Sequence, residues 1–205
     1  MAAPREATVD RLRAELVAIA HRAYARGLTL GVSGNLSVRL PGRPRVLIKA
    51  TGRCLGDMTV DDTLVIDLDG NVVGGGDAPR PSKERWFHCA IYQRRADVGA
   101  VVHLHPPHAV AFAAARALPP LLTGAGRAFL GGRLALVPPA SSGSRELAAM
   151  VGEAFATEAV QGAILAEHGT VTVGADLLSA FYLSEYLEDA ARTACLVRQI
   201  RGEAT

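Results

Sequence analysis

The residues of this 205-residue chain best suited to chemistry are imidazoles. Six histidines are present: His21, His88, His103, His105, His108 and His168. His103 and His105 stand two apart, so on a β-strand both side chains point to one face. Pro106-Pro107 ends that strand directly after them, and ligands at strand ends commonly face a crevice. A third ligand must come from elsewhere. His168, in Ala166-Glu167-His168-Gly169, fits best because the glycine after it permits a tight backbone. Three neutral imidazoles with an open position suit a catalytic Zn²⁺, with Mn²⁺, Fe²⁺ and Co²⁺ also compatible. An isolated His-x-His has a second reading, as ordinary packing or surface residues. His21 lies on a helix and reads as structural or solvated. His88 reads as a packing residue or one that supports the site from behind. His108 is a possible indirect support of the metal or a substrate contact.

Glu84 is the carboxylate of interest. It lies in Pro81-Ser82-Lys83-Glu84, in the first turn of a helix. Acids favour helix N-termini in any case; the alternative is a general base or a further metal ligand. Gly34-Asn35, Thr51-Gly52 and Ser82-Lys83 form a candidate anion site, since small residues expose backbone N–H groups and hydroxyls donate. Such loops are also ordinary turns.

Composition narrows the chemistry. Of 22 basic residues only Lys49 and Lys83 are lysines, and Schiff-base catalysis needs a lysine amine. A net charge of +2 with arginines spread along the chain, and 5% aromatics, argues against nucleic acid as partner. Cys54, Cys89 and Cys195 are odd in number and far apart, which predicts free thiols in a reducing, cytoplasmic setting. The first ten residues lack the apolar stretch of a secretory signal. No run of about 18 apolar residues would span a membrane.

The elements that must position these residues follow from periodicity. An amphipathic helix is expected over 6–26, with Val9, Leu12, Leu16, Ile19 and Ala23 at helical spacing and Gly27 as its stop. The loop 31–37 enters a short strand; 45–49 is a second strand. Residues 64–67 and 71–73 read as a hairpin around Asp69-Gly70, and 74–81 as a loop. A helix over 82–94 with Ser82 as N-cap leads to an apolar strand, 98–104. A helix over 108–117, a strand over 134–137, a loop through Pro138-Gly143 and a helix over 144–155 follow. Strands 162–167 and 170–173 flank His168, and a helix covers 177–201. Strands that alternate with helices, yet include hairpins, favour a layered α/β fold with a mixed sheet.

Four segments occur in order: GVSGNLSVRL (31–40), ATG (50–52), PSKERWFHCAIYQRRADVGAVVHLHPPHAVAFA (81–113) and AEHGTVTVG (166–174). Together, from about residue 9 to about 198, they make the chain resemble the class II aldolase/adducin-head family. The resemblance implies one domain over 1–205, a three-layer αβα fold with a mixed, largely antiparallel central sheet. It implies one divalent metal per subunit on His103, His105 and His168, with Glu84 as acid/base. It places a phosphate pocket on Gly34, Asn35, Thr51, Gly52, Ser82 and Lys83, with Lys49 near its approach. It implies a homotetramer acting on a small phosphorylated sugar or sugar acid, with no membrane or nucleic-acid partner. The activity implied is carbon–carbon lysis through an enediolate whose charge the metal stabilises, with retro-aldol cleavage expected first. Decarboxylation of a 3-oxo sugar-acid phosphate is the alternative, and a non-enzymatic adducin-like interaction module a third. Two departures weigh against the fuculose-type reaction. Lys83 stands where sugar-phosphate aldolases typically have serine, and the segment 121–127 lacks the aldolase tyrosine. A C-terminal tail that supplies active-site groups in some aldolases is expected to be absent.

Overall fold

The computed structural model describes residues 4–74 and 79–202. Part of the expected loop, residues 75–78, lies outside the described residues, as do residues 1–3 and 203–205. The chain runs α1 (Pro4–Ala25), β1 (Asn35–Arg39), β2 (Arg45–Lys49), a 3₁₀ turn (Val60–Asp62), β3 (Thr63–Asp67), α2 (Arg85–Arg94), β4 (Ala100–Leu104), α3 (Pro107–Ala114), α4 (Gly124–Leu130), β5 (Leu134–Val137), α5 (Arg145–Ala154), β6 (Gly162–Leu165), β7 (Gly169–Gly174) and α6 (Leu177–Arg201).

The seven strands form one sheet in the order β3-β2-β1-β4-β7-β6-β5. Every neighbouring pair is antiparallel except β5 with β6. Helices α2 and α5 share a core with one face of this sheet: Phe87, Ile91, Leu147 and Val151 pack with Val46, Ile48, Val101 and Val171. The other face is covered by α1 and α6 through Leu16, Ala20 and Phe181, and by α3, α4 and α6 through Phe112, Leu130 and Leu187. The architecture is the expected α/β layering with a mixed, largely antiparallel sheet.

Strand alternation decides which side chains meet. On β4, Ala100, Val102 and Leu104 join the core beneath α1 and α6. Val101 joins the α2/α5 core, so His103 faces α2 as well. On β1, Leu36 and Val38 face α1, which turns Asn35 and Ser37 toward α2. Asn35 pairs directly with His103 across the two strands.

Several boundaries differ from expectation. Helix α2 starts at Arg85, and its N-cap position is Glu84 rather than Ser82. Ser82 is instead tied to the sheet: its N–H donates to Lys49 O, and Pro81 bridges Ala50. The second hairpin strand is reduced to one bridge between Ile66 and Val72, because Asp67 turns the chain through its own carboxylate, which accepts from the Asp69 and Asn71 N–H groups. Helix α4 was not anticipated. Two glycines weaken it, yet Thr123 caps it by accepting from Gly126 N–H at 2.9 Å. No described helix is long and apolar enough to cross a membrane.

Candidate active site

His103, His105 and His168 come together: each offers a ring nitrogen, and these atoms lie within 4.8 Å of one another. His103 sits at the end of β4 and is fully buried. Its Nδ1 lies 2.9 Å from Thr170 O. A carbonyl only accepts, so Nδ1 donates there and Nε2 is the nitrogen turned toward the cluster. The Nε2 of His105 faces it at 2.9 Å. Burial and the other two imidazoles push the His105 pKa down to about 3, so that ring is neutral at physiological pH, as a metal ligand must be. His168 arrives from the turn between β6 and β7. Glu167 takes a positive φ of 59° there, and its N–H is held by Ala113 O. Gly169 follows where the backbone passes close to its neighbours; a Cβ would stand 2.7 Å from Leu104 O and 2.9 Å from the His105 ring. The donor set, three imidazoles whose ring nitrogens converge, fits a divalent transition metal.

Glu84 closes the cluster. One carboxylate oxygen is 3.1 Å from His103 Nε2 and the other 3.0 Å from His168 Nε2. Asn35 Nδ2 donates at 2.9 Å and Ser142 Oγ at 2.6 Å, one to each oxygen. Burial opposes ionisation of Glu84. The His103 and His168 imidazoles and the Ser142 hydroxyl outweigh it and hold the pKa well below the ordinary carboxylate range. Glu84 is therefore an ionised, desolvated carboxylate beside the cluster, not merely a helix cap.

A cavity of about 400 Å³ opens onto this group. Gly34, Asn35, Thr51, Gly52, Ser82, Lys83, Glu84, His105 and His168 all line it, together with Val32, Ser33, Lys49 and Ser142. Gly34 needs its positive φ of 76°, and a Cβ there would stand 3.0 Å from Thr29 Oγ1 and 3.1 Å from His103 O. The Asn35 carboxamide is 4% exposed and fully engaged with Glu84 and His88, which leaves mainly its backbone to face the cavity. His103 lies behind the wall. His108 stands apart: its ring Nδ1 meets Glu188 Oε1 on α6 at 2.7 Å. The same carboxylate accepts from the His108 and Ala109 backbone N–H groups at the start of α3.

Sequence reasoning missed Ser142, whose loop carried no signal beyond its proline and glycine content. It also missed how Lys49 works. Lys49 is 2% exposed, and its Nζ donates to Val32 O and Gly34 O at 3.0 Å. It braces the Gly34 loop and leaves one donor over. Burial lowers its pKa to about 8, against the opposing pull of Cys54 and Glu84. The depressed value means the ammonium is present below about pH 8 and lost above it. If the cavity takes an anionic substrate, KM should rise as pH passes 8. The rise should approach about 10–100-fold, the worth of a hydrogen bond between charged groups. Lys49→Met should show the high KM at every pH; a wild-type KM that stays flat from pH 7 to 9 would remove Lys49 from substrate binding.

Three imidazoles and a buried carboxylate gather at one end of the central strands of the mixed sheet and open on a cavity lined by two lysines. The chain belongs to the family described as Class II Aldolase and Adducin N-terminal domain, which it matches over residues 14–195. It is 36% identical over 189 residues to the 3-oxo-tetronate 4-phosphate decarboxylase of Haemophilus influenzae, covering 86% of this chain and 83% of that protein. It is 31% identical to an L-fuculose phosphate aldolase of Methanococcus maripaludis, covering 90% and 97%. Among solved structures it resembles YgbL of Klebsiella pneumoniae, described as a putative aldolase/epimerase/decarboxylase, with a TM-score of 0.81, 31% identity, and 91% and 89% of the two chains covered.

Proposed function

We propose that this protein is a divalent-metal-dependent carbon–carbon lyase that decarboxylates a small phosphorylated 3-oxo acid, with Glu84 as its proton-transfer group. The observation that carries this reading is the inventory of the cavity. It offers one buried carboxylate, two ammonium groups and no phenol: none of the four tyrosines, Tyr24, Tyr92, Tyr182 and Tyr186, lines it.

His103, His105 and His168 would hold the metal, Zn²⁺ first and Mn²⁺, Fe²⁺ or Co²⁺ as alternatives. When bound, it supplies Lewis-acid stabilisation of negative charge on the substrate's carbonyl oxygen. The backbone and hydroxyls of Thr51, Gly52 and Ser82, with Lys83 and Lys49, would receive the phosphate. The bond between the substrate's carboxylate carbon and its neighbour breaks, and its electron pair passes into the adjacent carbonyl to give an enediolate. Carbon dioxide leaves without a proton. One proton, taken up from water by Glu84, is then delivered to the enediolate carbon, and Glu84 returns to carboxylate. A single acid/base group suffices for that sequence.

Retro-aldol cleavage of a phosphorylated hydroxyketone is the second reading, supported by the aldolase relative. It requires a proton to leave a hydroxyl and another to reach carbon, so Glu84 would have to serve both steps. The reactions separate in one experiment. Metal-reconstituted protein is offered ketose phosphates and 3-oxo acid phosphates, and CO₂, aldehyde and dehydrated product are measured separately. CO₂ from a 3-oxo acid phosphate is expected; aldehyde from a ketose phosphate without CO₂ would replace the first reading by the second. Protein that binds no metal and turns over nothing would favour the adducin-like interaction module. A homotetramer belongs to the same reading. Leu30 and Val32, 72% and 59% exposed beside the cavity, supply apolar surface for a neighbouring copy, and sedimentation equilibrium should return four times the chain mass; a monomer would exclude it.

A further inference from the structure

Behind Glu84, away from the cavity, lies a row of buried polar side chains that the proposed reaction does not use. Asn35 Oδ1 meets His88 Nε2 at 2.5 Å. His88 Nδ1 meets Ser37 Oγ at 2.7 Å, and Ser37 Oγ meets Tyr92 OH at 2.9 Å. His88 and Ser37 are fully buried and Tyr92 is 2% exposed. Apolar substitutes of similar size would fill this space without the cost of desolvating four polar groups, so the row calls for an explanation.

The chemistry of the groups orders every proton in it. Asn35 Nδ2 lies 2.9 Å from Glu84 Oε2, so Asn35 turns its NH₂ toward that carboxylate and its carbonyl oxygen toward His88. That oxygen only accepts, so His88 Nε2 must carry a proton. Only a neutral imidazole suits the buried position, and burial does push the His88 pKa down to about 3, so Nδ1 is bare. Ser37 must then donate to Nδ1, which leaves its oxygen to accept from Tyr92. One arrangement satisfies all five groups.

We propose that His88, held in its Nε2–H tautomer by Ser37 and Tyr92, is a positioning residue that locks the Asn35 carboxamide so that it donates to the Glu84 carboxylate. Its contribution to catalysis rests on the reading of Glu84 as the proton-transfer group; its orientation does not. Without His88 the Asn35 side chain has no partner on its oxygen and can rotate, and Glu84 loses one of the two neutral donors that fix its plane. Ser142, the other donor, lines the cavity and is exposed to displacement by substrate; Asn35 is not. The row therefore supplies the grip on Glu84 that persists when the cavity fills.

Two measurements test this. Nitrogen-15 correlation spectra of histidine-labelled protein report each ring's tautomer. The expectation for His88 is a protonated Nε2 and a bare Nδ1; a protonated Nδ1 overturns the proposal whether or not the protein turns anything over. In an active preparation, His88→Leu should lower kcat about 10–100-fold, the worth of one hydrogen bond to a charged group. KM should change little and metal content not at all. His88→Gln, which keeps an N–H donor for Asn35, should recover most of the loss. Gln no better than Leu, with both folded, or a defect confined to KM, would overturn the positioning role. Should His88→Leu fail to fold, Ser37→Ala removes only a hydroxyl. It should give a mixture of His88 tautomers with a loss of kcat, and an unchanged tautomer with unchanged kcat would count against the proposal. Wild-type protein inactive on every substrate but carrying the Nε2–H tautomer would sink the lyase reading and leave the ordered row standing.

Discussion

Glu84→Gln is expected to lower kcat about 10²–10⁴-fold, the usual contribution of a positioned acid/base group, with one metal per chain retained. The substitution changes charge and proton affinity but almost no volume. The amide keeps one oxygen to accept from Asn35, and its NH₂ can donate to Ser142 Oγ, so the packing at the start of α2 has no reason to rearrange. What is lost is the ability to gain and return a proton. In the wild type, burial raises the energy of the ionised carboxylate while His103, His168 and Ser142 restore it. The result is a buried carboxylate that its neighbours keep charged. Turnover by product release, metal content by elemental analysis, and thermal unfolding on the same samples would separate the possibilities. A kcat near the wild-type value would remove Glu84 from the chemistry. A parallel loss of metal would recast it as a fourth ligand.

How much of this was legible beforehand depends on whether the cause was local. The strands 45–49 and 134–137 and the helix over 177–201 lie at their expected bounds, because the strands are short apolar runs between turn residues and the helix repeats at helical spacing. The His-x-His at the end of β4 was legible for the same reason. His168 was chosen from a strand–glycine junction, and the β4–β7 pairing brings it to the others. Helix α4 was not read, because Gly124 and Gly126 depress its propensity while the Thr123 cap that starts it is a single residue. Ser142 could not be read. It reaches Glu84, 58 positions away, only because parallel pairing of β5 with β6 carries the following loop to the same end of the sheet. Asn35 was assigned to phosphate through its glycine-rich neighbourhood, yet its side chain is occupied by Glu84 and His88. A loop composition shows that backbone is available; it does not show which way the side chain turns. Lys49 illustrates the same point: a rare lysine after an apolar strand suggests an anion, whereas two of its donors hold the protein's own carbonyls.

His103→Ala is expected to abolish stoichiometric metal binding and to lower turnover by at least about 10²–10³-fold, the loss seen when one stabiliser of a developing oxyanion is removed. Alanine deletes the innermost of three imidazoles and leaves His105 and His168 one short of the three protein donors that a catalytic site with an open position uses. It also removes a partner of Glu84 and the ring that meets Phe87 edge-on at 5.4 Å, so some stability is lost without metal as well. The two losses can be told apart. Metal that binds only the folded state stabilises it by about 2.7 kcal/mol at one hundred times Kd. Wild-type protein should therefore unfold at lower temperature after chelation, whereas His103→Ala should unfold at one temperature with or without chelator. The packing defect is what remains when both proteins are compared metal-free. Full activity with one bound metal in His103→Ala would contradict the ligand assignment. A variant that lost metal yet kept turnover would show that the imidazole cluster is not where the chemistry takes place.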